Sequence, residues 1–252
     1  MAFDFTGKKV LVTGAGKGLG RGFALALAKA GCKVYALDMV QEYLDTLTAE
    51  NRDIVPILQD LSDWDGTRTK LEQLETLDGL VNNAAVFLGP IPSLEETEEN
   101  MKTYMAVNVM PAINCTQIIG KKMVETGKKG AIVNMSSVVS QLSYRRHMGY
   151  NVAKACIDMV TKQFALELGV HGIRVNSLNP TFVAATDMAK SVLESASNAA
   201  SLLIERTPLD RICRPDDVVA AVMYLLSDTS AMVTGTVNLL DGGLSCNITT
   251  KQ

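Results

Sequence analysis

The chain is poor in the residues that build disulfide frameworks, metal sites and nucleic-acid interfaces. Its 252 residues include five cysteines and two histidines. Cys32, Cys115, Cys156, Cys213 and Cys246 are odd in number, scattered, and form no C-x-x-C pair. Neither a disulfide framework nor a zinc site is implied, and no metal site is expected. A reducing, cytoplasmic compartment is the simple expectation. The net charge is −3, with a pI near 5.5. That balance argues against a nucleic-acid or acidic-membrane partner. Short basic pairs such as Lys121-Lys122 and Lys128-Lys129 read as solvated helix ends. No apolar run is long enough to span a membrane. No basic region followed by an apolar stretch and a cleavage site opens the chain, and no peroxisomal or lipidation signal closes it. His147 and His171 are the only histidines, and no G-x-S-x-G elbow surrounds a serine, so a Ser-His-Asp hydrolase is not supported. No Pro/Gly/Ser-rich linker and no internal repeat divides the chain. One domain spanning 1–252 is expected.

What the sequence does hold is alternation. Apolar strand-like runs occur at Lys8–Val12, Cys32–Leu37, Ile54–Leu58, Gly79–Val81, Ala131–Met135, Arg174–Leu178 and Thr236–Leu239. Between them lie stretches of helical length, notably Thr97–Lys122, Tyr150–Val170 and Pro215–Leu226. Hydrophobic residues make up 47% of the chain, enough for a sizeable core. The pattern predicts an α/β fold with a Rossmann-type doubly wound parallel sheet and helices on both faces. The segment Thr181–Arg211 carries few core signals and follows a strand end. Ligands of open α/β sheets bind at such ends, so a substrate lid is expected around 181–211.

The first strand runs into Thr13-Gly14-Ala15-Gly16-Lys17-Gly18-Leu19-Gly20, and a helical run follows. Strand, glycine-rich turn and helix form the context a dinucleotide phosphate needs: close backbone approach and the free N–H groups of a helix N-terminus. The G-x-G-x-x-G spacing fails because position 19 is Leu. Gly14-x-x-x-Gly18-x-Gly20 fits instead. Asp38 ends the second strand, 18 residues past Gly20, about where a ribose hydroxyl partner belongs.

Tyr150 and Lys154 stand four apart in a helical run and therefore share a face. An ammonium beside a phenol favours the phenolate, which would let Tyr150 exchange a proton near neutral pH. Ser137 follows an apolar strand, 13 residues before Tyr150, where its hydroxyl would meet a substrate carbonyl. Ser136 is its rival, read as a serine that caps backbone.

Thr13–Gly20, Asp60-Leu61, Asn82-Asn83-Ala84-Ala85, Asn108, Ser137, Tyr150-x-x-x-Lys154 and Asn179-Pro180 occur in the order and spacing of the short-chain dehydrogenase/reductase family, which the chain resembles over essentially its whole length. The resemblance implies roles. Tyr150 would be the general acid/base, with Lys154 lowering its pKa and holding the nicotinamide ribose. Ser137 would orient the substrate carbonyl, and Asn108 would position a water of the proton relay. Cofactor contacts are implied for Gly14, Lys17, Gly18, Leu19, Gly20, Asp38, Asp60, Leu61, Asn83, Ala84, Tyr150, Lys154, Pro180 and Val183. A homotetramer built through helices around Thr97–Lys122 and Tyr150–Val170 is also implied.

Within the family the chain resembles the L-xylulose (dicarbonyl) reductase branch and its carbonyl-reductase relatives. Gly130–Ser137, Ile157–Lys162, Ala165–Gly169, Ile173–Asn176 and Asn179-Pro180-Thr181 carry that likeness. His147 matches a substrate-pocket histidine of the branch; an exposed loop histidine is the alternative. The cofactor is expected to be NAD(P)(H). Asp38 and Met39 favour NAD(H), because a carboxylate repels a 2′-phosphate and Met39 offers it no charge. Lys17 and the branch favour NADP(H). The family's threonine five residues after the proline is Ala185 here, with Thr186 next. The activity implied is hydride transfer between the dinucleotide and a carbonyl or secondary alcohol of a ketose/alditol or small α-dicarbonyl. Steroid or acyl-thioester ketones, and a non-catalytic nucleotide sensor, are the alternatives.

Overall fold

Seven parallel strands form one sheet in the order β3-β2-β1-β4-β5-β6-β7. The computed structural model describes residues 3–184 and 199–247. The strands are β1 (Lys9–Thr13), β2 (Lys33–Asp38), β3 (Val55–Leu58), β4 (Gly79–Asn82), β5 (Ala131–Met135), β6 (Arg174–Pro180) and β7 (Val237–Leu240). Between and around them run α1 (Gly18–Lys29), α2 (Gln41–Glu50), α3 (Trp64–Leu71), α4 (Glu98–Tyr104), α5 (Met110–Glu125), α6 (Met148–Leu168), α7 (Ala199–Arg206) and α8 (Pro215–Leu226). Among the described residues no helix is long and apolar enough to cross a membrane.

Two cores explain why the strands read as continuous apolar runs rather than alternating ones. Val10 and Val12 join Phe23, Ala24 and Leu27 of α1 and Val218 and Val222 of α8 in one core. Leu11 joins the other, with Leu71 of α3 and Ile118 and Ile119 of α5. A sheet covered on both faces has no polar side. In β5 every residue is buried, including Asn134. Its amide accepts from Asn82 Nδ2 at 2.8 Å and donates to Thr161 Oγ1 at 2.9 Å. The expected doubly wound α/β fold is therefore the fold found.

The order of the strands reverses between β1 and β4, which are neighbours through Val12↔Val81. Such a switch point opens a crevice at the strand C-termini. Thr13 and Asn83 close its floor. Asn83 Nδ2 donates to the carbonyls of Thr13 and Gly14 at 2.9 and 3.2 Å, while Thr13 Oγ1 accepts from the Asn83 and Ala84 N–H groups at 2.9 and 3.2 Å.

The helix expected over Thr97–Lys122 is interrupted. A π-helical turn, Met105–Val109, separates α4 from α5. Pro111 at the start of α5 supplies the cause. It has no N–H to give and its ring crowds the carbonyl four residues back, so the helix takes up a wider turn. Asn108 lies in that turn.

Of the expected lid, Thr181–Ala184 continues from β6. Ala184 N–H donates to the Cys213 carbonyl at 2.8 Å, and Val183 bridges Cys213. α7 then leads to Arg211. Ala185 and Thr186, and with them the middle of the lid, lie outside the described residues.

Candidate active site

The crevice begins at the glycine loop. Gly14 and Gly18 have φ of +61° and +57°, a left-handed region that costs an L side chain about 1–2 kcal/mol. Gly20 is needed for a different reason: a Cβ there would lie 2.0 Å from the Gly14 carbonyl oxygen. At Gly18 a Cβ would meet nothing within 4 Å, so open space lies over the helix start. Lys17 at the head of α1 makes no side-chain cap, and the first turn holds no acidic residue. The N–H groups of that turn are left to an anion. Leu19 packs against the α1 core. This cradle fits a dinucleotide pyrophosphate.

At the outer rim Asp38 is 8% exposed. Its Oδ2 accepts from Gly16 N–H at 2.9 Å and its Oδ1 from Val40 N–H at 3.1 Å. The carboxylate is thus fixed beside the loop, and Met39 stands 64% exposed next to it. The Lys17 ammonium lies over the Tyr43 ring, 5.6 Å from its centroid. Asp60 and Leu61 follow β3, whose Leu58 pairs with Asp38. Asp60 Oδ1 accepts from Ser62 N–H and Oγ, and Leu61 is buried in the second core. Asn83 and Ala84 form the floor already described.

Tyr150 and Lys154 enter from the first turns of α6, both buried at 7% and 3% exposure. Lys154 Nζ donates to the Met135 carbonyl at 2.8 Å and lies over the Tyr150 ring, 5.4 Å from its centroid. The cation therefore faces the ring rather than pairing with the hydroxyl. The expectation that Lys154 lowers the tyrosine pKa is not met in this arrangement. Burial, helped by the neighbouring Tyr104, pushes the phenol above its ordinary value. Burial also brings Lys154 down to about 8, with Asp158 acting in the opposite sense. Desolvation is the larger cause in both groups; at Tyr150 the neighbouring phenol adds to it, and at Lys154 Asp158 opposes it.

The serine pair separates cleanly. Ser136 Oγ is buried and donates to the Lys154 carbonyl at 3.0 Å, a structural bond. Ser137 is half-buried, and its Oγ makes only long contacts: 3.5 Å to the Pro180 carbonyl and 3.4 Å from Val139 N–H. Its hydroxyl is the one able to turn toward a ligand.

Asn108 is placed differently from its expected role. Its Nδ2 donates to the Val86 carbonyl at 2.9 Å, and its Oδ1 accepts from Val86 N–H at 2.8 Å. Both ends of the side chain serve the loop after β4.

His147 is half-buried rather than an exposed loop residue. Its ring stacks on Phe87 with centroids 4.8 Å apart, and Phe87 meets Tyr150 edge-on at 5.5 Å. His147 Nδ1 donates to the Arg145 carbonyl at 2.6 Å, which leaves Nε2 as the acceptor. Burial holds this histidine below its ordinary pKa, so the ring is neutral at pH 7.

Sequence reasoning does not single out Phe87, Tyr104 or Asp158. Tyr104 packs edge-on against Tyr150 at 6.2 Å and accepts from Leu88 N–H at 3.1 Å. Asp158 is buried one helical turn beyond Lys154. Its i+4 spacing is the one available signal; the aromatic residues carry none.

The sequence matches the family model described as "Enoyl-(Acyl carrier protein) reductase" over residues 14–245. It is 43% identical to the D-erythrulose reductase of Gallus gallus over 240 residues, covering 95% of this chain and 96% of that protein. It is 42% identical to the L-xylulose reductase of Mus musculus, covering 96% and 98%. The fold superposes with a TM-score of 0.91 on a gluconate 5-dehydrogenase from Burkholderia cenocepacia in complex with NADP and tartrate, at 27% identity and 98% coverage of both chains.

Two glycine substitutions test the cradle. Gly20→Ala forces a Cβ onto a backbone oxygen, so the loop must open; dinucleotide affinity should fall at least tenfold. Gly18→Ala, with open space, should cost only the left-handed backbone strain of about 1–2 kcal/mol. NADH fluorescence titration and urea unfolding read the two effects. Wild-type affinity in Gly20→Ala would contradict the account.

Proposed function

The chain belongs to the short-chain dehydrogenase/reductase family, and from that premise we propose that it reduces small polyhydroxy ketones of the L-xylulose type, or small α-dicarbonyls, to the corresponding alcohols. The observation that carries this reading is the buried Tyr150–Lys154 pair on one face of α6, beside the loosely held Ser137 hydroxyl and at the inner end of the dinucleotide cradle.

The nicotinamide dinucleotide, when bound, supplies the two electrons and the hydrogen that reach the carbonyl carbon. The chain does the rest. The Gly14–Gly20 backbone and the α1 N-terminus hold the pyrophosphate, and Asp38 takes the adenosine ribose hydroxyls. Lys154 reaches the second ribose. Ser137 donates to the carbonyl oxygen and steadies charge there. Tyr150 gives that oxygen its proton. Because burial raises the phenol, Tyr150 rests in the protonated form, the one that reduction needs. His147 Nε2, held as an acceptor, is placed for a substrate hydroxyl beside the aromatic wall of Phe87.

Assembly as a homotetramer in the cytoplasm belongs to the same proposal. Met159, Leu166 and Val170 of α6 and its end stand 62%, 75% and 83% exposed, an apolar stripe suited to a second copy.

Tyr150→Phe keeps the ring and removes the proton. Turnover should fall roughly 10²–10⁴-fold while NADH binding stays near wild type. Activity within a few-fold of wild type would refute the assignment. For the cofactor, Asp38 and exposed Met39 stand where a 2′-phosphate would lie. We expect kcat/KM with NADH to equal or exceed that with NADPH for one common substrate. Asp38→Ser with Met39→Arg should move the ratio toward NADPH by roughly tenfold or more. A strong NADPH preference in the unmodified protein would show that Lys17 offsets Asp38.

A further inference from the structure

We propose that Asp158 is a positioning residue of the reaction: its buried carboxylate ties the Ser137 loop and the end of β6 to α6, and stands as the counter-charge of Lys154. This rests on the functional reading above and extends it.

Asp158 is 5% exposed. Buried carboxylates are costly unless several donors converge on them. Here three residues from two elements supply those donors. Gln141, from the turn after Ser137, donates through Nε2 to Oδ2 at 3.2 Å. Asn179, near the end of β6, donates through Nδ2 to Oδ1 and Oδ2 at 3.0 and 3.1 Å. Ser177 Oγ lies 3.2 Å from Oδ1 and 2.8 Å from Asn179 Oδ1. The same Asn179 amide reaches the Ser137 carbonyl at 3.2 Å and Ser140 Oγ at 2.9 Å. A chain of contacts therefore runs from Asp158 through Asn179 to the backbone of Ser137. It fixes the height of the Ser137 hydroxyl relative to Tyr150, which α6 itself carries.

The donors to Asp158 are all neutral, so its charge is not cancelled by them. Among the described residues the charged or titratable groups around the pair are few. Lys154 lies one turn back on α6, with the Tyr150 ring beneath its Nζ. α4 brings Tyr104, and Glu96 before it accepts from Gly149 N–H at 3.3 Å at the head of α6. β5 offers only the Met135 carbonyl, and the turn after it only Ser140 and Gln141. β6 offers Ser177 and Asn179. Lys154 is thus a buried ammonium whose counter-charge on its own helix is Asp158.

The test is Asp158→Asn, with Asp158→Glu as the conservative control, in the full chain. Reduction needs Lys154 as the ammonium, and kcat/KM reports the free enzyme's ionisations. Removing the counter-charge should move the alkaline limb of the kcat/KM profile to lower pH by roughly one unit or more. Loosening the Ser137 loop should lower kcat by roughly tenfold to hundredfold, with a smaller change in KM. Asp158→Glu should return the limb toward the wild-type position. A limb that stays in place in Asp158→Asn overturns the proposal, whatever happens to kcat. Should Asp158→Asn fail to fold by circular dichroism, Asp158→Ser removes the same charge with less bulk and carries the same expectation. If both fail to fold while Asp158→Glu is wild-type in profile, Asp158 is structural and the proposal falls.

Melting temperature against pH gives a readout independent of turnover. Burial brings Lys154 from 10.5 to about 8. Between those values only the unfolded chain holds that proton, so stability rises with pH across the window. In Asp158→Asn the rise should begin at lower pH than in the wild type; an unchanged onset counts against the proposal. If the wild-type chain reduces no carbonyl with either dinucleotide, the functional reading falls, and this melting comparison still decides the coupling of Asp158 to Lys154.

Discussion

The clasp between Thr13 and Asn83 at the ends of β1 and β4 is the constraint on which the site depends. Strand order reverses at this pair, so each strand end feeds a loop that turns away from its neighbour. Without the crossed hydrogen bonds, the ends would be free to splay. With them, Gly14 is held close enough to Asn83 and Ala84 that a Cβ at Gly14 would lie 2.9 Å from Ala84 Cα. The glycine loop, the start of α1 and the floor of the crevice are then one rigid unit. Ligand phosphates find N–H groups already aimed at them, and little ordering is left to be done on binding.

At the inner end of the crevice, burial governs the chemistry. It keeps Tyr150 protonated, with Tyr104 acting in the same sense, and it weakens the hold of Lys154 on its proton more strongly than Asp158 opposes it. A low-dielectric setting of this kind makes each remaining charge count for more. Electrostatic control passes to groups one layer back. The Met135 carbonyl fixes where the ammonium sits, and Asp158 sets what surrounds it. Phe87, Tyr104 and His147 form the aromatic wall packed around Tyr150 in the same space.

Most of the fold is legible in the sequence, because a sheet covered on both faces demands apolar runs between turn signals. All seven strands fall within a few residues of the segments read from hydrophobicity alone. The glycine loop, Asp38, Ser137 and the Tyr150–Lys154 pair are legible too, since each combines a residue type with a local context. What is not legible depends on contacts distant in sequence. Asn108 has the type and place of a relay side chain, yet Val86, 22 positions away, takes both its polar atoms. Helical spacing puts Lys154 and Tyr150 on a shared face, but it gives neither their burial nor where the ammonium points. The π turn at Met105–Val109 has a local cue in Pro111, but hydrophobic periodicity runs through it unbroken.

The central claim is that this crevice carries a hydrogen from a nicotinamide dinucleotide to a carbonyl carbon. Its most direct test is reduction of L-xylulose or a small α-diketone with NADH or NADPH deuterated at the nicotinamide C4, followed by mass spectrometry of the alcohol. The account predicts one deuterium bound to the new carbinol carbon, from one C4 position alone. An alcohol free of label, or no alcohol from any sugar, polyol-derived ketone or diketone with either dinucleotide, would contradict it.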